Sequence, residues 1–170
     1  PETDELLVHD VPSALVTAPD LTVDGDPIGE VRDVLWGPDE TAVYVLADDG
    51  VGPVLARVLA EPPFEVVDVA SLPVAEGATG DPEFVGLGPS GEIGTVMTEG
   101  DEVVIRFVDP LTFEERPERE RRLAAGASSV RIAPDGAGLL WVQDTALWFQ
   151  PLFEEPRPLG LGIERAWFIR

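Results

Sequence analysis

The sequence predicts an all-β fold built from repeated four-stranded units, and three observations support this prediction. Three segments share one plan of an apolar strand, a turn that contains proline, and a second apolar strand; they are residues 31–50, 83–101 and 129–146. Their turn prolines, Pro38, Pro89 and Pro134, recur about every 50 residues, a period typical of repeat folds. Proline presets φ for the second position of a turn, and glycine accepts positive φ, so both suit a turn between strands.

Further strand-like runs lie between these hairpins, each bounded by glycine, proline or acidic residues. They are residues 54–60, 64–69, 101–108 and 146–150. About four strands per repeat, recurring every ~40–50 residues, are typical of a β-propeller blade, which buries both sheet faces only by packing on neighbouring blades. We therefore predict that residues 1–170 form a single β-propeller domain or the C-terminal part of a larger propeller.

The chain ends are out of phase with the repeat. Two runs before Val31, residues 5–10 and 14–18, match the third and fourth strands of a blade, and one run after Gly162, residues 164–169, matches a first strand. This phase predicts three whole four-stranded blades with partial blades at both ends. A propeller needs at least ~4 blades to close. Either the terminal strands pair to complete a fourth blade, or more blades lie outside this chain.

The strand alternation also predicts the core between blades and the absence of helices longer than about two turns. The expected core residues are Val34, Trp36, Val43, Val45, Val85, Leu87, Ile132, Leu140 and Trp141. We interpret residues 113–126 as an outer strand and a connecting loop. They are the segment where a helix would most readily form instead, because Glu, Arg, Leu and Ala are good helix formers.

The net charge limits the kinds of partner. Eleven basic residues against 33 acidic ones give −22, which repels phosphate backbones and anionic lipid surfaces. We predict neither nucleic-acid binding nor membrane insertion by this segment, which has no apolar run near ~18 residues. A productive partner should be basic or should meet the region where the negative charge is relieved.

Residue types for catalysis are scarce. The chain has no cysteine, which excludes disulfides, thiolate metal sites and a cysteine nucleophile. His9 is the only histidine, and no serine stands in a Gly-x-Ser-x-Gly turn. We predict that the chain is not an enzyme and that it uses no cofactor.

Two acidic loops are interpreted as turns between strands. Residues 24–30 begin like a calcium loop, with Asp24, Asp26 and Gly29 at its first, third and sixth positions. The fifth and twelfth positions are Ile28 and Leu35, so two oxygen ligands are missing and we predict no metal site. Residues 47–52 contain Asp-Gly, a strong hairpin signal.

Tryptophans and arginines provide the candidate binding residues. The four tryptophans, which lie in predicted strands, are suited to core packing or to a stacking platform for a sugar or peptide: Trp36, Trp141, Trp148 and Trp167. Five of the eleven basic residues fall within sixteen positions: Arg116, Arg119, Arg121, Arg122 and Arg131. This cluster is either a solvated strand of mixed charge or a positive patch for an acidic partner. We take Arg116, Arg119, Arg121 and Arg122 as candidate partner-binding residues.

Two stretches of the repeat resemble a known family. The hairpin "RDVLWGPDETAVYVL" followed by "VGPVLARV", and "SSVRIAPDGAGLLWVQDTALWFQPL" with its "PLGLG" tail, resemble the later blades of the actinobacterial LpqB-type lipoprotein propeller and, more loosely, TolB-type propellers. The resemblance covers residues 20–170. It implies an extracytoplasmic accessory protein of the cell envelope that binds a protein partner, such as the sensor of a two-component system. It supplies no catalytic residues, and no lipobox cysteine is present.

A second function remains open, in which the chain is the propeller portion of a hydrolase or of a protein that binds a sugar or peptide. The sequence before Pro1 would discriminate the two. A lipobox with a GerMN-like domain favours the accessory protein, and a hydrolase domain favours the alternative. We expect any export signal to precede Pro1, since the first residues have neither a basic nor an apolar signal region.

Metal independence is directly testable. We expect excess EDTA to leave the midpoint of thermal unfolding unchanged, because a structural metal would contribute folding free energy that a chelator removes. The measurement is a pair of thermal melts followed by circular dichroism. A fall of several degrees would reinstate residues 24–30 as a calcium loop.

Overall fold

The computed structural model describes residues 8–10, 15–17, 21–23, 25–74, 77–151 and 154–162. These residues form sixteen strands and one turn of 3-10 helix, Pro117–Arg119. The all-β fold with four-stranded antiparallel sheets is confirmed. Within the described ranges, no helix has the length and apolar character that a membrane crossing requires.

The chain divides into two compact units, residues 1–74 and 75–170. The first unit has one four-stranded antiparallel sheet of order β5-β6-β7-β8 and two short hairpins, β1-β2 and β3-β4. Its strands are β1 (Val8–Asp10), β2 (Leu15–Thr17), β3 (Thr22–Val23), β4 (Asp26–Pro27), β5 (Glu30–Trp36), β6 (Ala42–Asp48), β7 (Pro53–Leu59) and β8 (Val66–Ser71).

The second unit has two four-stranded antiparallel sheets, of order β12-β11-β10-β9 and β13-β14-β15-β16. Its strands are β9 (Ala78–Leu87), β10 (Ile93–Glu99), β11 (Glu102–Val108), β12 (Arg121–Ala124), β13 (Ser128–Ile132), β14 (Gly138–Gln143), β15 (Ala146–Pro151) and β16 (Arg157–Leu161). The three predicted hairpins are β5-β6, β9-β10 and β13-β14. The sequence did not predict β16 because its prolines and leucines do not alternate.

The proline turns have one geometry in all three repeats. The first residue of each turn accepts a hydrogen bond from the N–H of the fourth: Gly37 from Glu40 (3.2 Å), Gly88 from Gly91 (3.0 Å) and Ala133 from Gly136 (2.7 Å). The fourth residue has positive φ each time, 59° at Glu40, 82° at Gly91 and 70° at Gly136. Two repeats therefore place glycine where the backbone is left-handed, and the first repeat places glutamate there.

The core of the first unit covers the middle of its sheet but leaves much of β5 exposed. Val43, Val45, Val54 and Val58 are buried together with Ile28. The predicted burial of Val34 and Trp36 is wrong, since they are 43% and 49% exposed. Both lie on β5, which is an edge strand, and the described part of this unit has no second four-stranded sheet to cover it.

The core of the second unit lies between its two sheets. One cluster joins residues of both sheets, among them Val85, Ile105, Ile132 and Trp141. Ile132 sits on the cross-strand pair Gly86 and Gly94, where a Cβ at Gly94 would lie 2.5 Å from Ile132 Cδ1. The two glycines therefore let the sheets approach closely.

Most of the remaining core predictions are confirmed. Val43, Val45, Val85, Ile132, Leu140 and Trp141 are all buried. Leu87 is only partly buried, because it ends β9 beside the turn, so its predicted full burial is wrong.

Several sequence predictions fall wholly or partly outside the described residues. These are residues 5–7, 14 and 18 of the first two predicted strands, the strand at 164–169 with Trp167, and Asp24 of the acidic loop. What is described agrees with hairpins, since β1 pairs with β2 and β3 pairs with β4. Ile28 is buried and donates its N–H to the carbonyl of Leu21. Within residues 25–30, a turn at Gly25 leads into β4, and β5 begins at Glu30.

The strained turn of the first repeat yields a prediction. Replacing Glu40 with Gly should raise the free energy of unfolding by about 0.5 kcal/mol, since relief of the left-handed strain exceeds the added chain entropy of glycine. Urea unfolding measures the change. Glu40→Gln is the matched control, because it removes the same charge and keeps the strain. Equal stabilisation by both variants would assign the effect to charge alone.

Candidate functional site

The loop before the arginine cluster is organised by Asp109. Its Oδ1 accepts the N–H groups of Leu111 (2.9 Å) and Thr112 (3.1 Å), and its Oδ2 accepts Nη2 of Arg116 (2.6 Å). The N–H of Leu111 and then the guanidinium of Arg116 stabilise the ionised carboxylate, which lowers the pKa of Asp109 to about 2. Arg116 is therefore paired within its own loop.

Arg119 ends the 3-10 turn and faces a buried carboxylate. Pro117 begins this turn, where its missing N–H costs nothing. Nη2 of Arg119 lies 3.6 Å from Oε1 of Glu92, which is only 8% exposed. The other oxygen of Glu92 accepts the N–H of Ser90 in the second proline turn. Glu92 therefore balances the charge of Arg119 and ties it to that turn.

Strand alternation separates Arg121 from Arg122. Arg121 lies opposite Ile105 in the antiparallel register of β12 and β11, whereas Arg122 lies opposite Val104. Directly opposed residues share a face, and successive residues alternate. Since Ile105 belongs to the core between the sheets, Arg121 lies on the core face at its margin, and Arg122 lies on the other face.

Arg122 is neutralised by a carboxylate network. It pairs with Glu120 and Glu102 at 2.8 Å each and lies 3.8 Å from Glu99. Hydrogen bonds from its guanidinium to Glu102 and then to Glu120 raise the pKa of Arg122. Arg106 joins the same carboxylates Glu99 and Glu120. This face carries mixed charge and is not a positive patch.

Arg121 has a different set of partners. Its Nη1 donates to two backbone carbonyls, those of Arg119 (3.0 Å) and Glu120 (2.8 Å). Across the part of the chain that the structure describes, no carboxylate pairs with it. Arg121 is thus a partly buried cation whose orientation is fixed by the backbone and whose charge has no paired carboxylate there.

A small cleft of about 30 Å³ lies beside Arg121, between the two sheets of the second unit. Its apolar lining is Pro89, Phe107, Leu139 and Pro151, and its polar lining is Glu92, Arg119, Arg121 and Gln150. Two proline turns close one end, since a Cβ at Gly136 would lie 2.5 Å from the nitrogen of Pro89. We call this the arginine cleft.

The predicted site residues thus do not form one patch. The structure brings Arg119 and Arg121 together in the arginine cleft, pairs Arg116 with Asp109, and places Arg122 on the opposite sheet face. Arg131 lies on β13 and donates to the carbonyl of Val130. The sequence analysis did not predict the lining residues Phe107, Leu139 and Gln150. Only their location in strands of the repeat could have indicated them.

The tryptophans divide between core and surface. Trp141 is buried, and its ring stacks on Trp148 with centroids 6.3 Å apart. This agrees with core packing. Trp36 is half exposed, and Trp167 lies outside the described residues. In the described ranges, no three His, Cys, Asp or Glu side chains are grouped so as to hold a metal ion.

Solved structures share this fold. TolB from Acinetobacter baumannii is similar with a TM-score of 0.59 and 13% identity, covering 92% of this chain and 38% of TolB. Kuenenia stuttgartiensis hydrazine synthase is similar with a TM-score of 0.55 and 17% identity, and the match covers 91% of this chain and 43% of the synthase chain. A "putative 6-phosphogluconolactonase" from Bacteroides uniformis has a TM-score of 0.54 and 14% identity, and the match covers 92% of this chain and 48% of that protein.

These comparisons show a fold and no more specific relationship. The chain spans less than half the length of each of these three structures. No protein-family model matches the chain, and no curated protein matches it by sequence. A propeller-type, TolB-like fold is therefore established.

The prediction that the chain is not an enzyme is contradicted by the same comparison. The Bacteroides uniformis protein, described as a lactonase, shares the fold. The prediction failed because it excluded cysteine, histidine and serine motifs only, and a propeller can host chemistry that uses other groups in its loops.

The pKa of Asp109 gives a pH prediction. Because this pKa is lower in the folded chain than its usual 3.8, the ionised carboxylate stabilises the fold above about pH 4, and this stabilisation is lost as the pH falls towards 2. Asp109→Asn should therefore be less stable than the unmodified chain near neutral pH, and the difference should shrink between about pH 4 and pH 2. Urea midpoints at each pH measure it. A difference that stays constant with pH would contradict the assignment.

Proposed function

We propose that this chain is part of an extracytoplasmic β-propeller that binds a partner protein in the cell envelope. Of the four candidate residues Arg116, Arg119, Arg121 and Arg122, the proposed binding surface uses Arg119 and Arg121, which line the arginine cleft. Arg116 and Arg122 are paired with carboxylates outside the cleft. The proposal places residues 1–170 within one propeller, as a single domain or as the C-terminal part of a larger one. The TolB-like fold and the LpqB-type resemblance of the proline-turn repeats support it.

The observation that carries the proposal is that the charge of Arg121 is not paired with any carboxylate of the described chain. Its guanidinium is partly buried, fixed by two carbonyls, and without a paired carboxylate in the described chain. Arginine and aromatic residues in small apolar recesses are the groups that contribute most to protein interfaces. Phe107 and Leu139 supply such a recess directly beside Arg121.

Charge determines how a partner can approach. The net charge of −22 makes the long-range field repulsive for acidic proteins, so the partner's surface should be basic or neutral overall. At short range the uncompensated cation of Arg121 favours a negative group. A partner with a local carboxylate on an otherwise basic surface satisfies both requirements.

The test uses a photoreactive amino acid at Gln150, which lines the cleft, in chains exposed to the native envelope fraction. We expect one cross-linked protein, identified by mass spectrometry, and a loss of at least about fivefold in its yield when Arg121→Gln is added, because a charge-assisted contact is lost. The same photoreactive group at Val51, which is 96% exposed, is the site control.

Arg122→Gln is the matched control for Arg121→Gln. It removes an adjacent arginine from the opposite face of the same strand, so it should leave the cross-link at Gln150 unchanged. Glutamate is unsuitable at this position because it would add a carboxylate beside Glu99, Glu102 and Glu120. Equal cross-linking by the Arg121→Gln variant and the unmodified chain would remove the arginine cleft from the binding surface.

A further inference from the structure

The free edge of Arg121 has the shape of a carboxylate receptor. Both carbonyl contacts use Nη1, and they leave the edge formed by Nε and Nη2 without a partner in the described chain. Two parallel N–H groups on one edge of a planar guanidinium match the two oxygens of a carboxylate. The fixed Nη1 also means that little side-chain entropy remains to be lost on binding.

Arg119 does not compete for this role. Its Nη2 is already near Glu92, whose second oxygen is held by the N–H of Ser90. The pair Arg119 and Glu92 is close to neutral, so Arg121 provides the net positive charge of the cleft. An anionic group that enters the cleft is therefore directed to Arg121.

The size of the cleft restricts the apolar part of the ligand. The cleft offers about 30 Å³ of space for water-sized groups, which favours a small aliphatic side chain over an aromatic ring. Phe107 and Leu139 offer apolar contact, which suits methyl groups. Gln150 donates its amide N–H to the carbonyl of Glu154 (3.3 Å), which leaves its side-chain carbonyl to accept an N–H from the ligand.

We propose that the arginine cleft binds the carboxyl-terminal residue of a partner chain, with the terminal carboxylate on the Nε and Nη2 edge of Arg121 and a small aliphatic side chain against Phe107 and Leu139. A terminal residue carries a carboxylate and a side chain on one Cα, so both reach a cleft of this size together. An internal Asp or Glu would need a neighbouring residue to fill the apolar part. This inference rests on the proposed protein-binding function.

The test measures binding of fluorescein-labelled hexapeptides of sequence Gly-Ser-Gly-Ser-Ala-Val to the full chain by fluorescence anisotropy. One peptide has a free carboxyl terminus and the other is amidated. Measurement near 0.15 M salt, where the Debye length is about 8 Å, limits repulsion from distant carboxylates. We expect the free carboxylate to bind at least about tenfold more tightly, as a charge-assisted hydrogen-bonded pair does.

Variants assign the effect to the cleft. Arg121→Gln should remove the preference for the free carboxylate, and Arg122→Gln should keep it, since Arg122 lies on the other face. A peptide ending in Trp should bind several-fold more weakly than one ending in Val. Equal binding of the free and amidated peptides would overturn the inference, as would an internal-Glu, amidated peptide that binds as tightly as the free terminus.

The outcome also separates this inference from the proposed function. If the cross-link at Gln150 depends on Arg121 but the peptides show no carboxylate preference, protein binding stands and recognition of a carboxyl terminus is wrong. If inorganic phosphate displaces the labelled peptide at equal concentration, the site is a general anion site and the inference is also wrong. Loss of neither the cross-link nor the peptide preference in Arg121→Gln would reject both proposals.

Discussion

The close contact of Ile132 with the cross-strand pair Gly86 and Gly94 determines the spacing between the two sheets of the second unit. A Cβ on Gly94 would clash with the end of the Ile132 side chain, so the sheets can approach this closely only because both cross-strand positions are glycine. Ile132 belongs to the buried cluster that also includes Val85 and Ile105. β12 joins the same sheet by pairing with β11, which places Arg121 opposite Ile105 at the margin of this core.

The site depends on that packing through the two-residue period of a strand. Arg121 and Arg122 are adjacent in sequence, yet the first meets backbone carbonyls and an apolar cleft, and the second meets three carboxylates. Their chemistry is therefore opposite. Arg122 contributes to a surface network of modest energy, since exposed ion pairs contribute only ~0–1 kcal/mol each. The charge of Arg121 is not paired with a described carboxylate, and its position is partly desolvated, so a salt bridge to a ligand would be stronger there than in water.

The proline turns have a structural and a functional consequence. Each turn requires a left-handed residue at its fourth position, which is glycine in two repeats and Glu40 in the first. In the second unit the turns at Pro89 and Gly136 pack closely enough to close one end of the arginine cleft. The motif that defines the repeat therefore also shapes the candidate site, although the sequence pattern indicates only a turn.

The sequence by itself determined the all-β class, the four-stranded repeats and the three hairpins, because apolar alternation and Pro-Gly turn preferences are local properties. It also located the arginine cluster in an acidic chain. Only the tertiary structure decided that Val34 and Trp36 are exposed, since burial depends on whether another sheet covers an edge strand. It likewise decided that Arg121 is available while Arg122 is neutralised. A side chain's partners depend on strand register and on residues distant in sequence, such as Glu99 and Leu139, and no local pattern encodes these distances.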